Sequence, residues 1–168
     1  MKQRFPWLFI NLLTAVLASV VIGAYSETIE QLVALAVLMP IVASMGGNAG
    51  TQSVTVAVRA LAMRQIKGSR SWSAMRKELM IGTLNGVVLA LLMALGAFAV
   101  YQDGMLAAIF GVATIVTLMV AGFSGAAIPI VLNRLGVDPA VSSGVFLTTV
   151  TDVIGFLSFL GLAALLLL

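Results

Sequence analysis

Five long apolar stretches dominate this chain and fix its solvent before any other feature is considered. They predict helices over about residues 5–25, 29–62, 77–101, 105–132 and 139–167. Each reaches the roughly 20 residues that a helix needs to cross a bilayer core. The chain is 61% apolar and only 9% charged, whereas soluble domains average about 25% charged residues. A soluble protein of 168 residues could not bury that much apolar surface. The expected fold class is therefore all-α integral membrane, with five transmembrane helices. The second stretch runs for 33 residues, Ile29–Leu61. As a straight helix it would span roughly 50 Å, against a core of about 30 Å. It should therefore protrude or bend, and Pro40 and Gly46-Gly47 mark the expected place.

The charges orient the spans. With five spans drawn, all nine Lys and Arg fall on one side: Lys2, Arg4, Arg59, Arg64, Lys67, Arg70, Arg76, Lys77 and Arg134. The opposite connections hold only Glu27, Glu30 and Asp103. The positive-inside rule then places the N-terminus in the cytoplasm and the C-terminus outside, in the plasma (cell inner) membrane. The net charge of +3 is a topology signal and not a nucleic-acid footprint. A cleaved secretory signal is the rival reading of the first apolar run, but that run is long and no convincing small-x-small site follows it.

Composition also narrows the chemistry. Without Cys or His the chain has no thiolate, no imidazole ligand and no usual general base, so it is not expected to be an enzyme. Of the six acids, five are expected in loops or near span ends, Glu78 among them. Asp152 lies in the middle of the last span. A charge at that depth costs about 2.5–3.5 kcal/mol on insertion scales, and no span centre carries a Lys or Arg to pair with it. A bound cation, water or a proton must stabilise it. Thr148 and Gly144 fall four and eight residues earlier, on the same helix face. The second signal is the polar patch in Met39–Ala62, where Gly47, Asn48, Gly50 and Gln52 interrupt an apolar run and are expected to line a pore or cavity. Its GxxxG pair, Gly46/Gly50, and the pair Gly82/Gly86 read more simply as tight helix contacts. Every candidate ligand atom is oxygen, which suits Mg2+, Ca2+ or Mn2+. One carboxylate cannot neutralise a divalent ion, but a two-fold dimer would bring two copies of Asp152 to one axis. Mg2+ sheds water reluctantly and would pass largely hydrated.

The runs PIVASMGGNAGTQS (Pro40–Ser53), LGVDPA (Leu135–Ala140) and TTVTDVIG (Thr148–Gly155) resemble the transmembrane domain of the MgtE magnesium channel family. The resemblance covers essentially the whole chain, residues 1–168. It implies a homodimeric Mg2+ channel, with Mn2+, Ca2+ or Co2+ as further possible ions, whose pore lies between protomers and is lined by the second and fifth spans. It implies that Asp152 binds the hydrated ion, that Thr148 and Gly144 line the same site, and that Asp138 takes part at the cytoplasmic mouth. Gly144 departs from members that carry a side-chain amide there. Full-length members place cytoplasmic Mg2+-sensing domains before this one. This chain, opening Met1-Lys2-Gln3-Arg4, is expected to lack them and to close less completely at high cytoplasmic Mg2+. Two other readings of the same residues are a proton-coupled divalent-cation transporter and a non-transporting assembly subunit with a protonated Asp152.

Overall fold

The structure is a computed structural model and describes residues 5–66 and 70–167; Lys2, Arg4 and Lys67 lie outside the described residues. Among the described residues six helices follow one another: α1 (Phe5–Gly23), α2 (Ser26–Gln31), α3 (Ala34–Ala62), α4 (Arg70–Tyr101), α5 (Gly104–Arg134) and α6 (Pro139–Leu166). All but α2 are long and apolar enough to cross a membrane.

The second predicted span differs from expectation. The chain breaks at Leu32, whose φ of −136° and ψ of 88° leave the helical region, and the short α2 stands apart from α3. Beyond that break α3 runs unbroken through Pro40 and Gly46-Gly47. Packing explains the continuity at the glycines. A Cβ on Gly46 would lie 2.6 Å from the Thr117 side chain, and one on Gly50 2.6 Å from that of Leu147. Neighbouring helices thus press closely on this stretch and leave it no room to unwind. The 29 residues of α3 still exceed a bilayer core, by roughly 14 Å at 1.5 Å per residue. The fourth helix also starts earlier than expected, at Arg70. Its polar first turns extend beyond the apolar run and are tied down by Arg134, whose guanidinium donates to the Ser71 hydroxyl at 3.1 Å.

α5 is the central post, with buried residues along its whole length from Leu106 to Leu132 and one more open face that carries Val112 and Val131. α3, α4 and α6 pack around it, while α3 and α4 scarcely meet and α1 rests on α6 alone. Two packing regimes divide the bundle along its length. Near the acidic connections large side chains fill the core, among them Leu35, Phe110, Phe159 and Leu160; the two phenylalanine rings are tilted at 5.6 Å. Toward the basic connections glycine lets backbones touch. A Cβ on Gly82 would lie 2.5 Å from the Leu118 carbonyl oxygen, and one on Gly125 2.7 Å from that of Gly50. Small residues at such contacts gain dispersion energy that longer side chains would forbid. The described basic residues collect at this end: Arg59, Arg64, Arg70, Arg76, Lys77 and Arg134.

Candidate functional site

Asp152 is the fourteenth of the 28 residues of α6, so about 20 Å of helix separates it from either end. Its side chain is only partly buried, and no hydrogen bond to it forms among the described residues. Thr148, one turn earlier, is likewise partly open. Its hydroxyl proton has three acceptors within reach: the carbonyl oxygens of Gly144 and Val145, each at 3.1 Å, and Asn11 Oδ1 at 3.4 Å. Whichever takes it, the Thr148 oxygen keeps lone pairs for an ion's water shell. Gly144 is exposed, and a Cβ built there would meet nothing within 4 Å. Of the remaining polar residues of this half-helix Thr149 is partly open and the others turn inward. Ser142 and Ser143 are buried, with Ser142 donating to the Asp138 carbonyl oxygen at 2.6 Å. Thr151 is buried too and donates to Leu147 O at 3.1 Å.

The glycine contacts set the register of α3 against α6. Gly46 faces Thr151 and Gly50 faces Leu147, so the helices run antiparallel. Asn48, the midpoint of α3, then lies at nearly the level of Thr148 and Thr149, and Ser44 at the level of Asp152. The open face of α3 carries Ser44, Asn48, Thr51 and Thr55, all exposed. Thr51 and Thr55 donate to carbonyls four residues back, at 2.7 and 2.8 Å. Asn48 Nδ2 reaches Ser44 Oγ only at the 3.5 Å limit.

Not every residue expected on this path reaches it. Gly47 stands at its edge, partly open and with nothing near a built Cβ. Gly50 is instead buried against Leu147, because its missing side chain is what lets α6 approach. Gln52 is carried round to the α4 side, where it lines a different cavity together with Glu78 and Asn85. Asp138 is exposed at the mouth, and one of its oxygens is committed: Oδ1 accepts the Ala140 amide at 2.9 Å and caps α6, with Pro139 in the first helical turn. Asp138→Ala is therefore expected to lower stability by about 1 kcal/mol, measured by thermal unfolding in detergent; an unchanged midpoint would show the cap to be idle. Sequence reasoning did not single out Thr51 as a path residue, and it missed Asn11 altogether. The spacing from Asn48 identifies Thr51, whereas Asn11 becomes visible only because α1 lies on α6, where both border a cavity of about 670 Å³ with Gly144 and Thr148.

Chemically this is a hard-oxygen surface with one carboxylate. Among the described residues no group of three or more Asp or Glu could cage a bare metal, so the donors fit an ion that keeps most of its waters. The divalent cation transporter model of the MgtE family matches residues 39–162, a segment containing every polar residue of the α3 and α6 faces described above. The chain belongs to the MgtE family. Its curated relatives include the magnesium transporter MgtE of Thermus thermophilus, 38% identical over 98% of this chain. Those of Enterococcus faecalis and Bacillus subtilis are 34% and 32% identical over 97% and 96% of it. In each case the chain spans 36% of the relative's length. MgtE-family membership and five spans make this a multi-pass membrane protein of a transporter family rather than an enzyme.

Proposed function

We propose that this chain forms the pore of a magnesium channel in the plasma membrane, with two copies enclosing a path for hydrated Mg2+ between their α3 and α6 faces. The basic end would face the cytoplasm. The observation that carries this reading is the polar stripe of Ser44, Asn48, Thr51 and Thr55, all exposed, beside an unpaired Asp152. The two threonine hydroxyls bond back to their own helix, but the Asn48 amide and the Asp152 carboxylate cannot face lipid, where each unsatisfied group costs several kcal/mol. A second copy laid over the stripe would shelter it and supply a second carboxylate. Two negative charges then balance one divalent ion, and contacts made through its waters stay weak enough for it to leave.

Reconstitution into liposomes holding a Mg2+ indicator tests the reading. Mg2+ should enter with no pH gradient present; entry only under a proton gradient, or none above protein-free liposomes, would overturn the channel. Pairing is tested separately. The chain has no cysteine, so a single Val37→Cys on the open face of α3 should cross-link into dimers with a short bismaleimide. Leu91→Cys, exposed on α4, should not; equal yields from both would refute the proposed interface.

A further inference from the structure

We propose a second cation site in the groove between α3 and α4, with Glu78 as its one carboxylate and a hydrated divalent ion as its ligand, held more weakly than between two carboxylates because one positive charge stays uncompensated. The groove exists because α3 and α4 both pack on α5 and barely on each other. It is a half-open cleft of about 190 Å³, with room for several waters at about 30 Å³ each and so for a hydrated ion. The polar lining comes from two helices: Gln52 and Ser53 of α3, Glu78 and Asn85 of α4. All four offer oxygen, and no basic residue lines the cavity.

Two of these groups are held in place by α5. Gly122 packs against the Glu78 main-chain carbonyl, and a Cβ on Gly125 would lie 2.6 Å from that of Ser53. The Ser53 hydroxyl is buried and donates to Glu78 Oε2 at 2.7 Å. That bond aims the carboxylate into the groove and leaves Oε1 and the Ser53 lone pairs for a ligand. Neither the Gln52 nor the Asn85 amide is hydrogen-bonded among the described residues, yet both border the same cavity. Glu78 is also shared with an adjoining cavity of about 210 Å³, lined by Gln65 and Lys77 among others, which leads from the carboxylate toward the basic end of the bundle. Lys77 lines this outer chamber and not the groove itself. An ion could thus enter from the aqueous side by the α4 flank of α3, away from the flank that carries Asn48. Bound there, it would join α4 to α3 one turn from Asn48.

Mn2+ serves as the probe, counted by electron paramagnetic resonance on the full chain in phosphatidylcholine nanodiscs. The wild type should show Mn2+ at both carboxylates. Glu78→Gln keeps an acceptor for Ser53 while removing the charge, and should abolish the groove site or weaken it about tenfold or more, leaving the Asp152 site intact. Asp152→Asn should do the converse, so failure of the groove site and failure of the pore reading give different results. Asn85→Ala, at an exposed position, should weaken the groove site several-fold without disturbing the fold. Unchanged Mn2+ binding in Glu78→Gln or in Asn85→Ala would overturn the proposal, as would loss of all binding in Asp152→Asn.

Discussion

Asp152→Asn should reduce Mg2+ flux by at least an order of magnitude while leaving the bundle folded. The amide matches the carboxylate in shape, and the described residues make no hydrogen bond that the substitution would break. What disappears is charge. A hydrogen bond to a charged group contributes about 1.5–3 kcal/mol, or roughly ten- to a hundred-fold in affinity, and in a dimer both copies lose it. Stability should not fall and could rise, because an ionised group at mid-membrane is itself destabilising. Flux into indicator-loaded liposomes and thermal unfolding in detergent separate the two effects. A variant that carries Mg2+ at the wild-type rate would remove Asp152 from the path. One that conducts nothing because it no longer folds would show that the carboxylate serves packing, contrary to its open position.

The same residue shows how much the sequence could disclose. Asp152 was legible because depth is encoded in one dimension: a carboxylate in the middle of an apolar run lies in the middle of a span. Thr148 and Gly144 followed from helical spacing alone. Both the five spans and the collection of basic residues at one end were equally accessible, since length and charge need no tertiary information. Glu78 was not, because it borders an apolar run and reads as an interfacial charge. Only the approach of α4 at Gly122 and of α3 at Gly125, both on α5, turns it into a partly buried group bonded to Ser53. Gln52 failed for a related reason. Four residues from Asn48, it shares the same broad face, yet that face is wide enough for its edge to turn toward α4. Gly50 and Gly144 look alike in a sequence, and only their neighbours tell a contact glycine from an open one.

That last distinction yields the second large effect. Gly122→Val should prevent a stable bundle, whereas Gly144→Val should leave stability unchanged and obstruct the path. At Gly122 a built Cβ collides with the Glu78 carbonyl oxygen and comes within 3.2 Å of the Gly82 Cα. Both obstacles are backbone, so no rotamer change relieves them, and α4 must move away from α5 along their long shared contact. Overpacking against mobile side chains costs about 1–3 kcal/mol; a backbone collision in the closest helix pair should exceed that range, against a total stability of about 5–15 kcal/mol. At Gly144 nothing lies within 4 Å, so the valine side chain enters open space beside Thr148. Unfolding in detergent should therefore separate the variants by several kcal/mol, and flux should be lost in both. If Gly122→Val instead unfolded within about 1 kcal/mol of the wild type, the glycine contact between α4 and α5 would not be what closes this half of the bundle. The fixed position of Glu78, which depends on that contact, would then have to come from elsewhere.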